Sequence, residues 1–258
     1  DWSSDVCSSD LENNEQSESK LANQSKPTNS LKIRIDDLKT FEPLTANQKK
    51  FFDAYKRQDY FIALHGVAGT GKTFIALYKA IEEVLDKSNP FSKIIIVRSA
   101  VPSREVGHLP GDLDEKTEIY RQPYQQICHT LFGRPDAYTR LEEQHHIEFI
   151  STSFIRGMSF DDAIIIVDEM QNLTYEEIDT VMTRVGYRSK IIWCGDYRQT
   201  DLRKNNDKSG LLKFFDIAHH MGSFTRVEFT VDDIVRSSLV KDYILAKLRY
   251  EDASEKNV

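Results

Sequence analysis

The chain has 258 residues and a formal net charge of -7, enough for one sizeable α/β domain plus a tail. Nowhere does it approach the ~18 consecutive apolar residues of a membrane-spanning helix. Beyond residue 30, thirty-five acids face thirty-two bases. Bulk charge therefore argues against tight non-specific nucleic-acid binding, while leaving room for a local basic groove.

Residues 1–11 read like the translation of a common short-read sequencing adaptor, and the first methionine is Met158. We expect a reading frame truncated upstream and set this head aside. It has neither the basic nor the apolar stretch of a secretory signal. In residues 12–30 only Leu21 and Ala22 are apolar, too few to offset ordering entropy, so a disordered tail or linker is expected. The expected folded domain is residues 31–250, with a frayed C-terminus at 251–258.

Thr45 precedes a helix-like segment from Asn47 to Arg57, with Phe51, Phe52 and Tyr55 at helical spacing. An apolar run from Tyr60 to Leu64 predicts a strand. Gly66-Val67-Ala68-Gly69-Thr70-Gly71-Lys72-Thr73 follows, and then a second helical pattern from Phe74 to Leu85. Ser88-Asn89-Pro90 breaks that helix. Residues 93–98 read as a buried strand and residues 99–118 as loop. Ile147–Ile150 is a short strand candidate. Ala163–Asp168 and Lys190–Gly195 are further buried strands, Phe224–Phe229 is a last strand, and a helix is expected to begin near Val231-Asp232-Asp233. Strands alternating with helices predict a parallel, doubly wound sheet, its strands continuously apolar because both faces are covered.

The segment 66–73 is a complete Gly-x-x-x-x-Gly-Lys-Thr phosphate loop in strand–loop–helix context. Glycines let backbone N–H groups close on phosphate oxygens, and the helix N-terminus adds its dipole. Lys72 is expected to reach the β/γ-phosphates of ATP, and the Thr73 hydroxyl to coordinate Mg²⁺. Asp168, at the end of a strand taken to lie beside this loop, is the second expected Mg²⁺ ligand. Glu169 is the extra carboxylate that polarises an attacking water. Past the next strand, Gln199 is a candidate sensor of the γ-phosphate. Arg236 is the candidate for the cation that neutralises developing charge, with Arg98 and Arg156 behind it. Cys128 and Cys194 sit in no spacing motif, which fits a reducing cytoplasm. His145-His146 and His219-His220 have no partners at metal spacing and read as solvated surface.

Together these motifs resemble the PhoH-like family of P-loop ATPases over about residues 40–248. The marks are Leu44-Thr45-Ala46-Asn47-Gln48, the phosphate loop, Leu109-Pro110-Gly111-Asp112-Leu113 with Glu115-Lys116, and Ile155-Arg156-Gly157 with Phe160. They continue with Asp168-Glu169-Met170-Gln171-Asn172, Gly195-Asp196 with Gln199, and Asp233-Ile234-Val235-Arg236. The resemblance implies a RecA-like three-layer α/β/α fold with a mostly parallel central sheet, similar to the first domain of superfamily 1 helicases. It implies that Gln48 reads the adenine and that ATP is hydrolysed. It also implies ring-shaped homo-oligomers, a hexamer among them, with Arg236 supplied across an interface and RNA or single-stranded nucleic acid as partner. Met158 stands where a second arginine is common after Arg156-Gly157, and Ser237 where a histidine often follows the arginine.

Three functions compete on this reading. The leading one is an ATPase that remodels nucleic acid as an oligomer, in the manner of a helicase. The alternative is a nucleotide-gated switch that binds RNA or protein without motor activity. A small-acceptor kinase is third, and the Glu169 position argues against it.

Overall fold

The structure, a computed structural model, describes residues 32–99, 113–196 and 205–255. Six strands form one sheet: β1 (Phe61–Gly66), β2 (Lys93–Arg98), β3 (Ile147–Ser151), β4 (Ala163–Val167), β5 (Lys190–Gly195) and β6 (Phe224–Phe229). Their order is β3-β2-β4-β5-β1-β6, and every pairing is parallel. The seven α-helices among the described residues are α1 (Ala46–Lys56), α2 (Lys72–Leu85), α3 (Leu113–Phe132), α4 (Ala137–Glu143), α5 (Tyr175–Met182), α6 (Asn205–His219) and α7 (Ser238–Glu255).

Alternation along the strands makes the three layers. Ile62, Leu64, Ile94, Ile96, Ile164, Ile166, Ile192 and Cys194 face one core, with Phe51, Leu77, Ile81 and Tyr124 from α1, α2 and α3. The residues between them, including Ala63, Ile95, Ile165 and Trp193, face a second core with Ile178 and Val181 of α5 and Phe214 and Phe215 of α6. Central strands β1, β4 and β5 are buried at every position, while edge strand β6 is not, as a sheet covered on both faces requires. This is the RecA-like α/β/α arrangement of P-loop NTPases. No helix among the described residues is long and apolar enough to cross a membrane.

Two local expectations need correction. Residues 113–118 are helix, not loop: α3 begins at Leu113, just past the last glycine of that stretch. Val231–Asp233 is only a 3-10 turn, and α7 starts at Ser238. The Asp233 carboxylate accepts from the Thr230 N–H and from the Asn47 amide at 2.8 and 2.7 Å, tying the turn to α1. Ile234 then turns extended, at ψ 116°. In the sheet, β5 lies between β4 and β1.

Candidate functional site

All six strands run the same way, so the segments after β1, β3 and β4 emerge at one edge of the sheet. The phosphate loop leaves β1 at Gly66 and enters α2 through Gly71, whose φ of 80° is left-handed. Gly66 has φ 122°, and a Cβ there would sit 2.1 Å from the Phe229 carbonyl oxygen. Only glycine fits such a close approach of β6. The Val67 N–H bonds to that same carbonyl at 3.0 Å. Ala68 is half-buried in the loop between Val67 and Gly69. Lys72 folds into the loop: its Nζ donates to Gly66 O at 2.9 Å, Val67 O at 2.8 Å and Thr70 Oγ1 at 3.3 Å. Burial holds the Lys72 ammonium below its ordinary value, with Asp196, Cys194, Glu169 and Asp168 opposing the shift.

Although β5 separates their strands, Thr73 and Asp168 meet. The Thr73 hydroxyl donates to Asp168 Oδ1 at 2.7 Å. Asp168 Oδ2 accepts from the buried Tyr124 hydroxyl at 2.8 Å. Among the described residues there is no cluster of three His, Cys, Asp or Glu side chains suited to a metal. Two hard oxygen donors at a helix N-terminus nevertheless fit Mg²⁺, which keeps most of its water and takes its remaining ligands from phosphate. Thr73 and Asp168 are the residues that would hold it.

Glu169 follows in a left-handed conformation, φ 51° and ψ 43°, uncommon for a residue with a Cβ. Such strain clusters at functional sites. Burial, then the neighbouring Asp168, raise its carboxyl above the ordinary value, against Arg98, Gln171 and Lys72. Gln171 Nε2 donates to Glu169 Oε2 at 2.5 Å, and Gln171 Oε1 accepts from the Asp196 N–H at 3.0 Å. One amide thus joins the ends of β4 and β5. Gly195 makes room for it, since a Cβ there would lie 2.3 Å from Gln171 Oε1.

Gln48 reaches the loop from α1. Its Nε2 donates to Thr70 O at 3.0 Å and its Oε1 accepts from the Leu44 N–H at 2.8 Å. Here the amide bridges two backbone segments. Arg236 reaches the same loop from the segment before α7: its Cγ is 3.1 Å from the Cβ position of Gly69, and the Val235 N–H bonds to Gly69 O at 3.1 Å. Arg236 as a whole is exposed. Gln199 lies outside the described residues, as do Leu109-Pro110-Gly111-Asp112. Arg156 is exposed after β3, while Arg98 ends β2 half-buried beside Tyr124. His145, His219 and His220 are exposed and His146 half-buried.

Sequence reasoning misses Tyr124 and the bridging role of Gln171. Gln171 carries a signal, its place three residues after Asp168. Tyr124 carries none, because it lies in a helix 44 residues from its partner.

Comparison with known proteins places the chain. The PhoH-like protein family model matches residues 40–247. The PhoH-like protein of Mycobacterium leprae (strain TN) is 35% identical over 215 residues, covering 83% of this chain and 60% of that protein. The PhoH-like protein of Bacillus subtilis (strain 168) is 37% identical over 209 residues, covering 81% of this chain and 64% of its own length. The chain thus spans less than two thirds of those relatives. Among solved structures, the large terminase from a thermophilic bacteriophage is similar with a TM-score of 0.45 at 13% identity, over 78% of this chain and 50% of that one. Unliganded Pif1 from Bacteroides sp is similar with a TM-score of 0.36 at 16% identity, over 76% and 43%. With a family match that runs from the turn before α1 into α7 and takes in the phosphate loop, Asp168 and Arg236, the chain belongs to the PhoH-like family.

Proposed function

We propose that the protein binds ATP with Mg²⁺ and hydrolyses it. The contact of Thr73 with Asp168 at 2.7 Å, at the mouth of the phosphate loop, carries this reading. It joins the two expected metal ligands of a P-loop NTPase across 95 residues of chain. In this reading the loop N–H groups and Lys72 bind the β/γ-phosphates. Thr73 and Asp168 would hold Mg²⁺, which would supply positive charge to offset that of the phosphates. Glu169, held by Gln171, takes the proton of the attacking water, and its upward-shifted carboxyl makes it a better base than an exposed glutamate. Arg236 stabilises negative charge beside Gly69, and Gln199 senses the γ-phosphate.

We propose further that the protein works as a homo-oligomer and couples hydrolysis to RNA or single-stranded nucleic acid. The loop after β3 supports a strand-binding role at the same edge of the sheet. There Phe154 is 55% exposed, with Ser153 and Arg156 exposed beside it. An exposed aromatic beside a cation is what single strands stack and pair upon.

The test is ATP hydrolysis by the full chain, with and without single-stranded RNA or DNA, beside Lys72→Ala and Glu169→Gln. Turnover lost in both variants and stimulated by one polymer is the expected result. Turnover unaffected by Glu169→Gln would refute the assigned base. Nucleotide binding with no turnover under any condition would favour the switch.

A further inference from the structure

Asp168 has two carboxylate oxygens, and only one faces Thr73. The other is taken by a residue outside every nucleotide motif. Tyr124, in the middle of α3, is fully buried and donates its hydroxyl to Asp168 Oδ2 at 2.8 Å. Behind it stands Arg98, the last residue of β2, whose positive charge acts on the same tyrosine and whose guanidinium lies over the Tyr120 ring at 5.5 Å.

The direction of the Tyr124 bond matters. A guanidinium can only donate, so Arg98 cannot compete with Asp168 for the Tyr124 proton. The single Tyr124 O–H is therefore given to Asp168 Oδ2. Accepting that bond fixes the plane of the Asp168 carboxylate. With Oδ2 fixed, Oδ1 is presented to Thr73. We propose that Tyr124, with the charge of Arg98 beside it, is a positioning residue for the divalent cation: it sets the direction from which Asp168 meets the metal site and makes metal affinity depend on α3. The inference rests on the Mg²⁺-nucleotide reading above and adds to it the outer partners of one ligand. Such partners generally change metal affinity by 10–100-fold when removed.

The test reads metal dependence rather than turnover. A fluorescent ADP derivative is titrated onto the full-length chain at a series of free Mg²⁺ concentrations, and again in excess EDTA. Tyr124→Phe removes one oxygen and keeps the ring. The expected result is a half-saturating Mg²⁺ concentration raised about tenfold, with EDTA affinity within about twofold of the parent. Arg98→Lys keeps the charge but not the fixed fork and is expected to shift the Mg²⁺ curve in the same direction by less. Tyr138→Phe, at another buried tyrosine whose hydroxyl has no hydrogen-bond partner, is the control and is expected to move neither quantity.

An unchanged Mg²⁺ curve for Tyr124→Phe would overturn the proposal. So would an equal loss of affinity with and without the metal, which marks a packing effect. Failure of the hydrolysis reading looks different: the parent would bind the probe in a Mg²⁺-dependent way yet turn over no ATP, and the positioning inference would stand. A parent that binds the probe with no Mg²⁺ dependence would remove both.

Discussion

Gln171 and Glu169 are joined by a 2.5 Å hydrogen bond, and the same Gln171 amide accepts from the backbone of Asp196, just past the next strand. The proposed base is therefore not a free carboxylate at a strand end. Its rotamer is set by an amide that is itself anchored at the end of β5, the strand between it and the phosphate loop. Gln171→Ala leaves Glu169 in place but unheld. We expect kcat to fall by about 10–100-fold with KM changed little, as for a group whose contribution is orientation. Steady-state kinetics decide it: a KM effect with kcat intact would assign Gln171 to binding instead.

Two glycines with the same sign of φ give a matched pair for stability. Gly66 has φ 122°, and its Cβ position lies 2.1 Å from Phe229 O, whereas Gly157 has φ 82° with nothing within 4 Å. Gly157→Ala carries only backbone strain, about 1–2 kcal/mol. Gly66→Ala must also push β6 from β1, and we expect a loss of about 3 kcal/mol or more. Urea midpoints of the two variants measure the difference. Equal midpoints would mean that β6 shifts freely.

How much of this is legible in the sequence follows from how local each signal is. The phosphate loop is eight contiguous residues, and its glycines are demanded by its own backbone. The strands are plain because burial on both faces leaves continuous apolar runs, such as Ile94–Val97 and Ala163–Val167. The start of the last helix is not, because Asp233, which looks like a first-turn acid, commits its carboxylate to Thr230 and Asn47. Strand order is hidden because adjacency is a property of crossovers, and no residue in β4 or β5 reports its neighbour. Tyr124 is hidden for the same reason: a helix 44 residues upstream of Asp168 supplies the hydroxyl.

His65 predicts a pH dependence. It is fully buried in β1, one residue before the phosphate loop, and Arg226 Nε donates to its Nε2 at 2.5 Å. Burial, with Arg226 and Lys72 nearby, lowers its pKa from 6.5 to about 4. The unfolded chain therefore binds more protons than the folded one between those values. Stability is highest above about pH 6.5 and declines as pH falls toward 4, with a full contribution of at most about 3 kcal/mol. Thermal or urea unfolding from pH 7 to 4.5, compared with His65→Gln, measures the slope. A variant with the parent's slope would show that other groups govern acid sensitivity.

Arg236 raises the question of whose site it serves. Family resemblance suggests an arginine supplied by a neighbouring subunit. The geometry supports its own: Arg236 Cγ packs against the Gly69 position of the same chain, and Val235 N–H bonds to Gly69 O at 3.1 Å. Asn47 and Asp233 brace this segment against α1, which also carries Gln48. The backbone that carries Arg236 is thus tied to its own loop. Arg236→Ala alone is expected to lower kcat by about 100-fold or more, as removal of a charge-stabilising donor does. The location is settled by mixing. Lys72→Ala keeps Arg236 but loses its own site, and Arg236→Ala keeps its site but loses the arginine. If the arginine crosses between subunits, the mixture regains activity that neither variant has alone. If it serves its own loop, the mixture stays as inactive as the weighted sum of the two. We expect the second outcome, even in a protein that proves to be an oligomer, because the contact with Gly69 is complete within one chain.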